Sequence, residues 1–310
     1  MEFKHLPVML NECLAGLKVK SGGVYFDGTF GGGGHSYEIL KQSSPDGRLI
    51  ATDRDIEAIL AGTERLKEFE GRYTVIKNNF KNFLEVLAEL NIFGIDGAIL
   101  DLGVSSYQLD NRDRGFSYMA KNTRLDMRMD TGSSFSAFEL VNTFSEEKLK
   151  YILSVYGEEK FAGNIAKNII LARKDKPIAT TGELADICDK SIPFKFKKDG
   201  HPAKKTFQAI RIAVNEELDG LDTALYDVFS RLNKGGRLVV ITFHSLEDRI
   251  VKNVFKDLET ACTCDKRYPC VCNRVKRGIE ITKKPITASE NELKLNSRSK
   301  CAKLRIIEKL

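Results

Sequence analysis

Four short apolar runs alternate with helical patterns in the first third of this chain of 310 residues. The runs are GGVYFDG, GRLIATD, YTVIKNNF and DGAILDLG. Between them, apolar residues recur at helical spacing, and alternation on this scale predicts a parallel sheet covered by helices. Residues 49–51 and 98–100 are apolar at successive positions, which is typical of strands buried on both faces. The pattern therefore predicts the α/β class.

The alternation stops near residue 107 and returns late in the chain. Thr143 and Thr180 each stand three residues before a glutamate, as in a helix capping box, and no strand pattern is evident from about 135 to 233. We predict one helix over NEELDGLDTALYDVFSRLNKGG and a strand over GRLVVITFHS. We also predict a strand over KLRIIEK, which could lie antiparallel at the sheet edge. We predict a discontinuous domain formed by 1–106 and 210–310, interrupted by a mainly helical insertion at 107–209.

Composition limits the class of protein and its surroundings. The hydrophobic fraction is 42% and the charged fraction 30%, as in ordinary globular proteins, and the net charge of +6 is weak support for an anionic partner. The N-terminal residues lack the pattern of a signal peptide, and no apolar run approaches the ~18 residues that a membrane span requires. We expect a cytoplasmic protein with reduced cysteines and no membrane partner.

Five glycines lie in VYFDGTFGGGGHS at 24–36, directly after the first strand-like run. Glycines at this place allow a backbone to approach a ligand closely. A P-loop would require Gly-Lys-Ser/Thr, and a dinucleotide fingerprint would require G-x-G-x-x-G. The segment contains neither, so both phosphate-binding interpretations lose their main support, and a merely flexible loop is the alternative to a ligand site.

Polar and aromatic side chains follow the four strand-like runs in order: Asp27, Asp53, Phe80 and Asp101. A carboxylate after the second strand can accept hydrogen bonds from ribose hydroxyls, and an aromatic ring after the third can stack on a purine. Each residue alone has a structural explanation in a turn or a core. As an ordered set they indicate a nucleoside-bearing cofactor held without a phosphate grip, and S-adenosylmethionine fits that description.

Seven longer motifs, in order, span nearly the whole chain: HLPVMLNE, DGTFGGGGHS, DLGVSSYQLD, RGFSY, LDMRMD, TFQAIRIAVNEEL and FHSLEDRIVK. In these motifs the chain resembles the bacterial S-adenosylmethionine-dependent methyltransferases that modify the exocyclic N4 amine of a cytidine in small-subunit ribosomal RNA. The resemblance implies a Rossmann-like methyltransferase domain with an inserted helical, substrate-binding domain. It also implies cofactor contacts at Gly33, Gly34, His35, Asp53, Phe80, Asp101 and Gln108, to which the strand-end pattern adds Asp27.

The catalytic assignment rests on Asp101, which follows the fourth strand. It could contact the cofactor, accept a hydrogen bond from the target amine, or do both; we assign it to the cofactor and hold the catalytic role as a hypothesis. His244 could be a base or a helix cap, and Glu247 and Asp248 are expected to begin the next helix. A DNA amino-methyltransferase and a non-catalytic ribosome-assembly factor are the alternative functions.

Two basic stretches, 195–211 and 266–284, are candidates for phosphate contact. Phe194, directly before the first stretch, and Phe196 and Phe207 within it could stack bases or pack inside the insertion. The expected partner is small-subunit ribosomal RNA or the assembled small subunit, and a homodimer is left open.

Four of the seven cysteines form two C-x-C pairs in ACTCDKRYPCVC: Cys262, Cys264, Cys270 and Cys272. Such a cluster suggests a metal site, but its spacing is not the usual C-x2-C and the resemblance requires no zinc. We assign no metal ligands from the sequence, and the metal question stays open.

Overall fold

The computed structural model describes residues 7–264, 267, 269 and 271–310. The chain divides into two compact units. The sheet unit combines the chain up to Gly103 with Asp219–Leu310, and the helical unit is Val104–Leu218. The insertion predicted at 107–209 lies inside the helical unit, which continues for nine residues beyond it.

The sheet unit contains one sheet whose strand order is β3-β2-β1-β4-β5-β8-β6, with β7 paired to β8. The first five strands in this order are parallel, and β8 is antiparallel to its neighbours. The predicted α/β class is therefore confirmed. The strands are β1 (Val24–Asp27), β2 (Arg48–Asp53), β3 (Tyr73–Lys77), β4 (Ile95–Asp101), β5 (Leu232–Thr242), β6 (Gly278–Glu280), β7 (Ile286–Thr287) and β8 (Lys303–Lys309).

The predicted edge position of KLRIIEK is wrong. The segment is the antiparallel strand β8, but β6 pairs with its outer side and β7 with its start. These two strands have only three and two residues, which is too short for a visible strand pattern in the sequence. The short strands cover an edge that would otherwise be open.

The described residues form thirteen α-helices: α1 (Leu10–Leu17), α2 (Gly34–Gln42), α3 (Ile56–Arg65), α4 (Phe83–Glu89), α5 (Ser106–Asp110), α6 (Ala137–Thr143), α7 (Glu146–Val155), α8 (Ala162–Asp175), α9 (Thr181–Ser191), α10 (Lys204–Asn215), α11 (Leu221–Arg231), α12 (Ser245–Glu259) and α13 (Glu290–Leu295). Helix α10 extends the helical unit past residue 209 because Phe207 and Ile210 on it belong to the core of that unit. Among the described residues, no helix has both the length and the apolar character of a membrane span.

Three helix boundaries test the capping predictions. The hydroxyl of Thr180 accepts a hydrogen bond from the Glu183 N–H, as predicted. The predicted cap at Thr143 is wrong, because Thr143 ends α6 and Ser145 caps α7 by accepting from the Lys148 N–H. The single helix predicted from Asn215 to Gly236 is also wrong: it is divided into the end of α10, the whole of α11 and the start of β5. The division begins at residue 216, whose left-handed φ of 51° ends α10.

Apolar side chains hold each unit together separately. In the sheet unit, Ile99 on β4 is buried in a cluster with residues of α1 and α2, including Leu17 and Leu40. Phe26 and Phe83 pack edge to face with ring centroids 4.7 Å apart. Each fully buried side chain of this size contributes roughly 1.5–3 kcal/mol to folding. The helical unit has its own core, formed mainly by α6, α7, α8, α9 and α10.

Candidate active site at the carboxyl edge of the sheet

The carboxyl ends of the parallel strands bring the predicted site residues of the sheet unit to one edge. Asp27, Asp53 and Asp101 are the last residues of β1, β2 and β4, and Phe80 follows β3. Strand β1 lies between β2 and β4, so the chain runs outward from it on both sides. In open α/β sheets such a switch point is where ligands bind. We call this set of strand ends, with the glycine loop 28–33, the carboxyl edge.

The glycine loop is shaped by close approach at one position and by backbone conformation at another. A Cβ on Gly28 would lie 2.3 Å from Leu100 Cδ2 and 2.9 Å from Phe80 Cβ, so no larger side chain fits there. Gly33 has a φ of +70°, which residues with a Cβ rarely adopt. A Cβ on Gly32 would meet nothing within 4 Å, which shows that this part of the loop borders open space.

Helix α2 begins directly after the loop. Its first N–H groups, those of Gly34 and His35, donate to no acceptor among the described residues, and no side chain caps the helix. Unpaired N–H groups at a helix N-terminus favour an anionic group of a ligand.

The side chain of His35 is used inside the protein. Its Nε2 lies 3.1 Å from the carbonyl oxygen of Val8, and burial lowers the pKa of the ring to about 4. The ring is therefore neutral and donates to Val8. The Nε2 atom of His35 is therefore occupied inside the protein, whereas its backbone N–H has no acceptor among the described residues.

Asp27 joins three parts of the carboxyl edge. Its Oδ2 accepts from the Ser36 hydroxyl at 2.7 Å and its Oδ1 accepts from the Thr29 N–H at 3.1 Å. Burial raises the pKa of this carboxyl group to about 6. Asp27 thus connects β1 with the glycine loop and α2, and both of its oxygens have partners inside the protein.

Asp53 holds the glycine loop from the neighbouring strand. Its Oδ2 accepts from the Gly31 N–H at 2.7 Å, its Oδ1 accepts from the Asp55 N–H at 2.9 Å, and burial raises its pKa. Phe80 opens a short 3-10 turn after β3 and is half-buried beside Gly28. Both side chains keep partial exposure at the edge.

Asp101 differs from the other two carboxylates. Its N–H donates to Thr29 Oγ1 at 2.6 Å, but its Oδ1 is buried and has no hydrogen-bond partner among the described residues. Burial, together with the charges of Asp27 and Glu247, raises its pKa to about 8. An unsatisfied buried acceptor costs roughly 1–3 kcal/mol, and such groups concentrate at functional sites.

His244 caps α12 rather than standing free as a base. Its Nδ1 accepts from the Glu247 N–H at 3.4 Å, while Glu247 Oε2 accepts from the Phe243 N–H at 2.9 Å. Glu247 and Asp248 lie in the first turn of α12, as predicted. Sequence reasoning missed the second effect of Glu247, which is to raise the pKa of Asp101.

Gln108 lies in the helical unit, where it closes the capping box of α5. Its Oε1 accepts from the Ser105 N–H at 3.0 Å, and its own N–H donates to Ser105 Oγ at 3.2 Å. The side chain is buried. Ser-x-x-Gln is a capping pattern that the sequence shows directly.

The three phenylalanines in or directly before the first basic stretch differ in their exposure. Phe207 is buried in the core of the helical unit, so packing explains it. Phe194 is 85% exposed and Phe196 is 49% exposed, with Lys195 Nζ 5.0 Å from the Phe196 ring centroid. Of the second stretch, Lys266 lies outside the described residues, as does Cys270 of the cysteine cluster.

Comparison with known proteins agrees with this reading of the chain. The profile of the MraW methylase family matches residues 2–310. "Ribosomal RNA small subunit methyltransferase H" of Clostridium botulinum (strain Loch Maree / Type A3) is 55% identical over 311 residues, with 100% of each chain covered. The protein of the same name from Lachnospira eligens is 53% identical, with 100% of this chain and 99% of that one covered.

A solved structure described as a putative rRNA-methylase from Clostridium thermocellum aligns with a TM-score of 0.45 at 14% identity, covering 99% of this chain and 100% of that one. The family assignment rests on the sequence matches, which extend over the whole chain and confirm the predicted methyltransferase class. The chain belongs to the MraW methylase family.

Proposed function

We propose that this chain transfers a methyl group from S-adenosylmethionine to the exocyclic N4 amine of a cytidine in small-subunit ribosomal RNA. The observation that carries the proposal is the buried, unpartnered Oδ1 of Asp101 at the switch point of the sheet. The relatives named as small-subunit ribosomal RNA methyltransferases support the RNA substrate, either naked or within the assembled subunit. Such a substrate would place the enzyme in the cytoplasm.

The residues of the carboxyl edge fit the cofactor. When bound, S-adenosylmethionine supplies a methyl group activated by a positively charged sulfonium. Asp53 would accept from the ribose hydroxyls, and Phe80 would offer a ring face to the adenine. The unpaired N–H groups of Gly34 and His35 would donate to the amino-acid carboxylate, and Gly33 sets the turn that presents them. The contact implied at Gln108 stays a prediction.

The lone pair of a cytidine N4 amine is delocalised into the ring, which makes the amine a weak nucleophile. A carboxylate that accepts a hydrogen bond from the amine stabilises the positive charge that develops on nitrogen during transfer. We assign this role, and acceptance of the proton that leaves nitrogen afterwards, to Asp101. The carboxyl group must be ionised to take up this proton, and a cation bound nearby lowers the pKa of a carboxyl group. The raised pKa of Asp101 therefore links its ionisation to cofactor binding.

The test of this role is Asp101→Asn, which keeps the shape of the side chain and removes its charge. We expect methyl transfer at saturating cofactor to fall by about 100-fold or more, with a smaller loss of cofactor affinity because the variant removes a charge that favours a cationic ligand. Asp96→Asn is the matched control, because Asp96 lies on the same strand near its opposite end and pairs with Lys20. Equal turnover at saturating cofactor in Asp101→Asn and the wild type would refute the acceptor role, and a loss of affinity alone would restrict Asp101 to cofactor binding.

The substrate is tested separately, by transfer of labelled methyl into small ribosomal subunits that lack the modification, followed by nucleoside analysis. Label in N4-methylated cytidine supports the proposal, and naked RNA assayed in parallel separates the two forms of substrate. Competition by DNA with label in DNA would favour a DNA amino-methyltransferase. Cofactor binding without any transfer would favour an assembly factor. The roles of the two units and the homodimer stay predictions.

A further inference from the structure

Three cysteines of the sheet unit converge after α12. The Sγ atoms of Cys262, Cys264 and Cys272 all lie within 4.8 Å of one another. Cys262 and Cys264 are separated by one residue, whereas Cys272 is eight positions after Cys264. Thiols that are separated in the sequence therefore lie close together in the structure.

The distance between two of these sulfur atoms distinguishes two kinds of link. Cys262 Sγ and Cys272 Sγ are 3.7 Å apart. A disulfide would place them about 2.05 Å apart. Two thiolates on one tetrahedral zinc ion, each with a Zn–S distance of about 2.3 Å, lie roughly 3.8 Å apart. The observed separation excludes a disulfide and fits both a thiol–thiol hydrogen bond and sulfur atoms that share an ion.

Two features of the surroundings are compatible with metal binding, namely a hydrogen bond to one sulfur atom and exposure of two of the thiols. The Cys264 N–H donates to Cys262 Sγ at 3.3 Å. Cys262 and Cys272 are also exposed, which leaves a path for an ion.

The two buried cysteines show the opposite environment. Burial raises the pKa of Cys13 well above its usual value and that of Cys188 to about 12. Both thiols therefore stay protonated, and among the described residues neither belongs to a group of three potential metal ligands. The three clustered cysteines therefore differ from Cys13 and Cys188, which are buried.

We propose that Cys262, Cys264 and Cys272 form a binding site for one zinc-class divalent ion, which links Cys272 to the two cysteines that follow α12. Soft thiolate donors select zinc over magnesium or calcium, and each thiol that ligates releases its proton to solvent. The chain directly after Cys272 is held against α12 largely by two contacts. Arg274 donates to Asp257 Oδ1 at 2.6 Å, and the Arg277 N–H donates to the Leu258 carbonyl at 3.0 Å. An ion would add a link between Cys262, Cys264 and Cys272, which precede these contacts in the chain.

The first experiment is elemental analysis of the full chain, purified without an affinity tag. We expect about one zinc ion per chain in the wild type and a loss of most of it in Cys262→Ser and Cys272→Ser. Cys301→Ser is the matched control, because Cys301 is exposed but lies outside the cluster. Retention of zinc in both cluster variants would overturn the proposal.

A second experiment uses the wild-type chain and does not depend on the folding of the variants. The reduced, metal-free chain is titrated with Co²⁺, and thiolate-to-cobalt charge transfer is followed by absorption, with and without prior alkylation of exposed thiols. We expect the band to develop with one equivalent of Co²⁺ and to disappear after addition of Zn²⁺ or after alkylation. A chain that contains no zinc and develops no band, or a Cys262–Cys272 disulfide in protein purified under reducing conditions, would overturn the proposal.

Discussion

The acids at the carboxyl edge and the paired acids of the helical unit have opposite environments. In the helical unit, Asp126 pairs with Arg128 at 2.6 Å, and the pKa of its carboxyl group is lowered. Glu183 pairs with Lys176 and accepts from backbone N–H groups, and these bonds lower its pKa to about 2. These acids are most stable in the charged form that they adopt at neutral pH.

At the carboxyl edge of the sheet unit the direction is reversed. Asp27 and Asp101 form no ion pair with any described cation, and burial raises the pKa of both groups. Ion pairs and hydrogen bonds stabilise the charged form of Asp126 and Glu183 in the helical unit. Burial disfavours the charged form of Asp27 and Asp101 at the carboxyl edge. That difference is what a site for a cationic ligand requires, since the ligand then supplies the missing positive charge.

The largest effect that tests this comparison is expected at Gly28. In Gly28→Ala the new Cβ would overlap Leu100 and Phe80, so we expect the free energy of unfolding to fall by about 2–3 kcal/mol and cofactor binding to be lost. Urea denaturation and calorimetric titration with S-adenosylmethionine measure the two effects. Unchanged stability would show that the edge tolerates rearrangement.

The next effect concerns the sign of pH dependence at Asp101. Its pKa in the folded chain is about 8, above the ordinary unfolded value, so the folded state keeps a proton that the unfolded state loses. The contribution of this group to stability therefore falls as pH rises from about 4 to 8. We expect cofactor-free Asp101→Asn to be more stable than the wild type by about 1–3 kcal/mol at pH 8.5, with no gain near pH 4.

Asp126→Asn provides the opposite case. The pKa of Asp126 is lowered by Arg128, so its contribution is present at neutral pH and is lost as pH falls through the folded pKa. We expect this variant to be less stable than the wild type by about 1–2 kcal/mol at pH 7, with the difference shrinking in acid. Denaturation curves across pH check both variants, and the same sign for both would break the comparison.

The smallest effect is expected at Gly163 in α8. A Cβ there would meet only Lys150 Cε, at 3.9 Å, and the backbone is helical. We therefore expect Gly163→Ala to raise the free energy of unfolding by about 0.5–1 kcal/mol without changing cofactor affinity, the reverse of the result at Gly28. A loss of stability measured by urea denaturation would contradict this expectation.

Much of the carboxyl edge could be predicted because it follows from strand order. Strand periodicity identifies where each parallel strand ends, and Asp27, Asp53 and Asp101 stand at those ends. The partners of these residues could not be predicted from periodicity. Ser36 and Thr29 contact Asp27 only because α2 and the loop fold back over β1.

The errors in the fold have local causes. Thr143 and Ser145 are both competent caps, and only tertiary packing selects the second. Residue 216 is a glutamate in a left-handed conformation, which residue type alone does not indicate. The strand β6 gains its hydrogen bonds from β8, so three residues suffice for it to form once β8 is in place.

The discontinuity of the sheet unit has a consequence for synthesis on the ribosome. Strand β4 pairs with β5, and the whole helical unit is translated between them. Until β5 emerges, β4 presents an open edge that is prone to mispairing. Closing the sheet across a long intervening segment costs little more than across a short one, about 0.6 kcal/mol per doubling of length. The insertion therefore lengthens the time for which β4 is exposed but adds little to the cost of completing the sheet.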